Sequence, residues 1–381
     1  MISNREFRRI YVIQVMMAVA DAMGMSFMML YLVSRGFRLE QLLIATTLAF
    51  SVPVAAIAGM RRARAKVSFS IAFLVKITAY LIAMFWLSPA TISLIYVSNA
   101  LVLVFFWVPY NLEFFSYATE KTHAYSGSVA IVIYPLVSMV VPPIAGYTWH
   151  AHGFATNMLI STGILTGLIA YVLASRSIKF RRFDYNIAES LRSLRRYRML
   201  FALQGFWEAT SFVGVPVFTL LFVDTELNLG IFFSYLGLLS VIATIALARL
   251  SDRRGRRTAF LYPTVVLAAM ATILLGLARS TVLWVTLVGL VNFTSIMATP
   301  FMIAVALDAK VKGVNMWAGR ELLLNLGRAL GSCLILLMYK GGLGYRLGFV
   351  VLGGVLLLYP LILHSRRIYA EAEIIPAQPA K

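Results

Sequence analysis

The chain has 381 residues, of which 61% are hydrophobic and only 13% charged, with a formal net charge of +19. Too few polar groups are available to cover a soluble surface of that size, so the chain belongs in a membrane. A single cysteine, Cys333, excludes an internal disulfide, a multi-thiolate metal site and a Cys-x-x-Cys redox centre, and basic residues gathered in short loops between apolar runs exclude a nucleic-acid module.

A helix crossing ~30 Å of hydrocarbon needs about 20 mostly apolar residues. The sequence holds twelve such runs, too long for the strands of a barrel. Span one, residues 10–32, follows a short basic head with no small-residue cleavage site, so it is read as retained. It carries Asp21 about 18 Å along the helix from Arg9, near the midplane, with Met17, Gly24, Met25 and Met28 on or near the same face. Charge in hydrocarbon needs a partner, a wet cavity or a route to the interface, so Asp21 is a candidate proton or substrate site. Span two covers 40–60 and span three 67–87. Span three contains Lys76, to which the sequence assigns no role because a lysine can snorkel. In span four, 91–114, Glu113 lies near one end and suits pairing in a gate. Span five, 126–148, contains Pro142-Pro143, which predicts a kink whose freed carbonyls are satisfied by neighbouring helices. Span six is 156–175.

The longest polar connection follows, residues 176–198, with eight basic and two acidic side chains. In its second part, 186–198, Ile187, Leu191 and Leu194 recur at spacings of four and three, as in an amphipathic helix on an anionic inner leaflet; a solvated basic linker is the alternative. Span seven, 199–222, places Glu208 at a depth comparable to Asp21, near Gln204, Trp207 and Ser211. Spans eight to ten are 229–249, 258–278 and 282–306. Span eleven, 316–338, aligns Glu321, Asn325, Arg328 and Ser332 on one stripe. Arg328 stays charged, so it must meet Asp21, Glu208, Glu321 or an anionic substrate group. Gly327 and Gly331 form a Gly-x-x-x-Gly that suits close helix packing. Span twelve is 344–364.

Only Arg35, Arg38, Arg279, Lys340 and Arg346 fall in loops on the side away from the termini, and Lys76, Arg320 and Arg328 fall within or at the mouth of spans; the rest of the 34 lysines and arginines lie on the terminal side. The positive-inside rule therefore predicts two cytoplasmic termini. The halves resemble each other as well. Spans four and ten open at Thr91 and Thr281 and carry Pro109-Tyr110 and Pro300-Phe301; spans five and eleven open with Tyr125-Ser126-Gly127-Ser128 and Trp317-Ala318-Gly319-Arg320.

Between spans eight and nine, residues 248–257 read Ala-Arg-Leu-Ser-Asp-Arg-Arg-Gly-Arg-Arg. This stretch resembles the loop signature of the major facilitator superfamily, Gly-x-Leu-Ala-Asp-Arg-x-Gly-Arg-Arg/Lys, with Leu250, Asp252, Arg253, Gly255, Arg256 and Arg257 matching. Residues 27–41 look like that family's turn between spans one and two. Residues 138–146 are similar to the glycine-proline stretch of its antiporters, although Ser138, Pro142 and Tyr147 replace glycines. The resemblance covers nearly the whole chain. It implies an all-α membrane protein of twelve helices in two pseudo-symmetric bundles: residues 1–178, a basic linker 179–198, residues 199–366 and a tail 367–381. It also implies a central cavity lined by spans one and seven. By the same likeness Asp252, with Arg253, Gly255, Arg256 and Arg257, closes the cytoplasmic side against span five near Ser126. The first-half loop, 58–67, has Arg62 where the acid is expected, so Arg62 would need Asp308 or Glu321 instead.

Together these features predict a secondary active transporter and not an enzyme. The four histidines are scattered, and His150-Ala-His152, the one pair that could approach a metal, has no nearby carboxylate. No phosphate-binding Gly-x-x-x-x-Gly-Lys-Ser/Thr occurs, so a gradient must supply the energy. Asp21 and Glu208 favour proton coupling. With six methionines in span one they suit antiport efflux of amphipathic or cationic molecules. Proton-coupled uptake of a sugar or organic acid is the alternative, with Arg328 its best argument, and a transport-inactive receptor on the same fold is a further one. The expected partners are a small-molecule substrate, protons and a bilayer with an anionic inner leaflet. The expected form is a monomer in the plasma membrane with no cofactor and no metal.

Overall fold

Each of the twelve apolar runs becomes a helical passage in the computed structural model, which describes residues 5–59, 62–116, 123–175, 182–251, 258–307, 314–366 and 368. Spans two, three and six are Leu39–Gly59, Ala65–Phe85 and Phe154–Ala174; spans eight to eleven are Glu226–Ser251, Thr258–Leu275, Thr281–Leu307 and Val314–Lys340. Span five, His123–His152, is longer than predicted. Span twelve runs as Gly344–Leu356 and Leu358–Ser365. Nine of the described helices are long and apolar enough to cross a membrane. An even number of passages puts both described ends on one face, called here the terminal face.

The interrupted spans are interrupted for identifiable reasons. Span four has a π-turn at Leu103–Trp107, just before Pro109, and span seven has one at Thr210–Gly214, just before Pro216. Proline has no N–H to donate and its ring crowds the preceding turn, so a wider turn there relieves both. Span one breaks at Gly24, between Arg5–Met23 and a 3-10 turn at Met25–Phe27, before Met28–Ser34. A Cβ at Gly24 would lie 2.6 Å from the Tyr80 hydroxyl oxygen and 2.8 Å from Ser161 Oγ. Both hydroxyls donate to the carbonyl of Ala20, at 3.3 and 3.0 Å. In span five Pro143 cannot donate to the carbonyl of Met139, and Ser234 Oγ of span eight donates to it instead at 2.6 Å, as the double proline predicts.

Spans seven and eleven lie against each other along small residues. A Cβ on Gly327 would collide with the carbonyl of Ala202, one on Gly331 with that of Phe206, and one on Gly205 with that of Leu324. With no hydrophobic drive between helices in lipid, this backbone approach is what holds the pair. Gly327→Val is expected to cost at least the roughly 1–3 kcal/mol of ordinary overpacking. It should lower the thermal unfolding midpoint in detergent, and an unchanged midpoint would contradict the packing.

The linker departs from expectation. Its helix, Ile187–Ser193, is capped by Asn186, whose side chain accepts from Ala188 N at 2.9 Å and Glu189 N at 3.3 Å. Its apolar residues do not lie on a leaflet. Leu194 is fully buried, and Ile187 and Leu191 pack with it around Ile57, Met316 and Trp317 at the terminal ends of spans two and eleven. Tyr185 fixes this docking by donating to the carbonyl of Ile57 at 3.1 Å; burial pushes its hydroxyl up to about 12, so it remains a donor at any working pH. A two-stranded antiparallel pair, β1 (Arg62–Arg64) with β2 (Arg182–Asp184), joins the loop after span two to the linker, with Arg62 opposite Asp184.

Candidate functional site

Between the halves lies a cavity of ≈890 Å³. Its wall is mostly apolar and aromatic, with Trp107, Phe212 and Phe233 among the lining side chains. Among the described residues, five charged ones interrupt it: Asp21 and Lys76 from the first half, and Arg320, Glu321 and Arg328 from span eleven. Toward the face opposite the termini the two halves meet. There span five packs on span eight so tightly that a Cβ on Gly230 or Gly237 would lie 2.7 Å from Pro142 O or 2.5 Å from Met139 N. His150 and Glu226 pair between the same two spans at 2.8 Å, and Lys340 of span eleven meets Glu40 of span two at 2.9 Å. Phe27 of span one adds edge-on contacts to Trp149 and Phe233.

Asp21 sits where span one prepares to break, its carbonyl accepting from Ser26 Oγ at 3.1 Å. Its carboxylate forms an ion pair with Lys76 of span three, which is 3% exposed against 27% for Asp21. Lys76 Nζ also donates to Asn99 Oδ1 of span four at 2.8 Å. Lys76, left without a role by the sequence, is therefore the counter-ion of the most promising acid. It does not snorkel.

On the other side Arg328 is gripped by Glu208 of span seven, whose Oε2 accepts from Nε at 2.8 Å and from Nη2 at 2.6 Å. Gln204 donates to the second oxygen of Glu208 at 2.8 Å. Arg328 Nη1 donates to Asn325 Oδ1 at 3.3 Å and lies 3.9 Å from Glu321, while its guanidinium stacks over Phe212 at 4.7 Å. Glu321 also pairs with Arg320 at 3.3 Å. The predicted stripe thus comes together, with two differences. Glu208 and Asn325 are not part of the cavity wall; they stand behind Arg328 and hold it. Arg320, one residue off the stripe, lines the cavity with its Nε unpartnered among the described residues and its guanidinium over Phe201 and Trp317.

No protein-family model matches the sequence, and no curated protein matches it. Solved structures do. The chain is similar to a POT family transporter in complex with 5-aminolevulinic acid, at 12% identity over 97% of each chain with a TM-score of 0.69. It is similar to the human organic anion transporter MFSD10 (TETRAN), at 15% identity over 95% of this chain and 100% of that one, with a TM-score of 0.65. It is also similar to the nucleoside transporter NupG, at 10% identity over 95% and 99%, with a TM-score of 0.61. All share one architecture.

The chain has the major facilitator fold. Within that fold the expected cavity is present, and span one contributes Asp21 and span seven Ser211 and Phe212 to its wall. Of the residues expected in a gate, Asp252, Arg253, Gly255, Arg256 and Arg257 lie outside the described residues, as does Asp308. For Arg62 only the backbone pairing with Asp184 is described. Glu321, its other proposed acid, is engaged by Arg320 and Arg328. Glu113 is buried at the terminal end of span four.

Proposed function

We propose that the chain is a secondary active transporter of the plasma membrane, with cytoplasmic termini, that alternates access around this cavity. Its substrate is a small amphipathic molecule bearing an anionic group, carried together with protons. The observation behind this reading is an unpartnered guanidinium donor in the charged part of the cavity wall. Lys76, Arg320 and Arg328 face it against Asp21 and Glu321, and one guanidinium N–H of Arg320 has no partner among the described residues. A buried unpaired donor costs free energy until an acceptor reaches it, and a carboxylate is the acceptor that matches a guanidinium best. The apolar remainder of the wall suits the body of such a molecule.

This favours the organic-acid alternative over cationic efflux, because the three cations are already paired with Asp21, Glu208 and Glu321 and the donor left over is the Arg320 Nε–H, which an anion can satisfy and a cation cannot. It also supplies a reason for symport. An anion is repelled by ionised Asp21 and accepted more readily once Asp21 carries a proton, so proton and anion bind cooperatively and travel in the same direction. Organic anions and 5-aminolevulinic acid in the names of two similar structures agree with this class.

Proteoliposomes with an outward-acid gradient and a trapped pH indicator test it. A small hydrophobic carboxylate should drive proton entry and its amide and amine counterparts should not. Proton exit driven by the amine would instead support antiport of cations.

A further inference from the structure

A second charged site lies outside the cavity, on the terminal face, where span seven begins and span twelve ends. A hollow of ≈770 Å³ is lined there by Arg195, Arg196, Arg198 and Arg366 with Ser193 and Met199, with no acid among the described lining residues. The arginines are held in place. Arg196 donates to the carbonyl of Arg366 from Nε at 3.2 Å and Nη2 at 2.8 Å. Arg366 returns the contact, donating from Nη1 to the carbonyls of Arg195 at 3.2 Å and Arg196 at 2.9 Å. Arg198 Nε donates to the carbonyl of Leu191 at 2.6 Å. The described contacts of Arg366 and Arg198 go to neutral backbone oxygens, which orient these two guanidinium groups without neutralising them.

We infer that this hollow binds the phosphate of an anionic headgroup, a phospholipid in the adjoining leaflet. Two observations favour lipid over a soluble phosphate. The hollow sits at the depth where two spans end, which is where headgroups lie. Below it Met199, Leu358 and Leu361 are exposed on the outer surface of spans seven and twelve, a path for an acyl chain. On the side that the positive-inside count makes cytoplasmic, such a headgroup would tie the linker to the end of span twelve. The inference concerns the outside of the bundle and does not depend on what the cavity carries.

Native mass spectrometry of the full chain in detergent tests it, with phosphatidylglycerol, phosphatidylcholine and inorganic phosphate as the probes. The parent should retain phosphatidylglycerol over phosphatidylcholine. Arg195→Gln, whose side chain is exposed, should weaken that retention roughly fivefold, and Arg195→Gln with Arg366→Gln further. Arg64→Gln, exposed on the same face, should leave it unchanged. Thermal midpoints of all variants check folding, and Arg195→Gln alone removes no described hydrogen bond. Phosphate that binds as tightly as the lipid and is lost in the same variants would keep the anion site and replace its source. Equal lipid retention by the parent and Arg195→Gln, with both folded, would overturn the site.

Discussion

Glu208→Gln is expected to destabilise the purified protein and abolish flux, and Glu208→Gln with Glu321→Gln to do so more severely than either change alone. The reason lies in how Arg328 is neutralised. Its guanidinium is nearly buried, with 7% of the side chain exposed, and two of its nitrogens converge on one oxygen of Glu208. Removing one partner of a buried pair strands the other charge, at about 3–5 kcal/mol in typical cases. Here Glu321, 3.9 Å away, is a reserve acid, so the single change should fall short of that range and the double change should reach it. Replacing both members of the pair, Glu208→Gln with Arg328→Gln, removes the stranded charge and should recover much of the thermal midpoint while flux stays lost. Arg328→Lys should keep charge and fold but impair flux, because an ammonium cannot reproduce the planar fork that spans Glu208 and Asn325. A Glu208→Gln midpoint equal to that of the parent, with full flux, would remove Glu208 from the positioning role.

Much of this arrangement was legible in the sequence, and the parts that were not have a common cause. Run length against bilayer thickness revealed the twelve spans, since lipid imposes that length on any helix that crosses it. Helical spacing revealed the stripe of span eleven, and the small-residue pair at Gly327 and Gly331 revealed a close packing of that helix, because both depend on one helix at a time; that the packing is against span seven comes from the structure. What spacing cannot reveal is which helix lies next to which. Lys76 was unreadable because its partners, Asp21 and Asn99, come from two other spans. For Glu208, whether it faces the cavity or stands behind Arg328 is decided by rotation of span seven against span eleven. Arg320 lies one residue off the stripe, and that it reaches the wall depends on where span eleven sits around the cavity. The linker failed similarly: a pattern of Ile187, Leu191 and Leu194 says that one face is apolar, and spans two and eleven cover it where lipid was expected.

Asp21→Asn is expected to separate the two halves of the proposed cycle, abolishing substrate-driven proton movement while leaving substrate exchange across a membrane largely intact. Exchange of labelled for unlabelled substrate needs only that the loaded site face each side in turn, whereas net proton flux needs a group that loads and unloads a proton. Of the cavity acids, Asp21 is suited to that task because its side chain is 27% exposed, against 7% for Glu321, which lies between two arginines. Asparagine mimics the protonated carboxyl in shape and charge. Lys76 would keep its bond to Asn99 and be released toward an incoming anion, so the binding step should survive. Lys76→Gln should behave differently, leaving Asp21 without its counter-ion and the wall with one cation fewer, and both exchange and proton flux should fall about tenfold or more, equivalent to losing about 1.4 kcal/mol of substrate binding. Combining Asp21→Asn with Lys76→Gln restores neutrality at the pair, so the thermal midpoint should return toward the parent's while proton movement remains absent. Proton movement in Asp21→Asn at the parent's rate would place the carrier elsewhere and reduce the Asp21 and Lys76 pair to a structural lock between spans one and three.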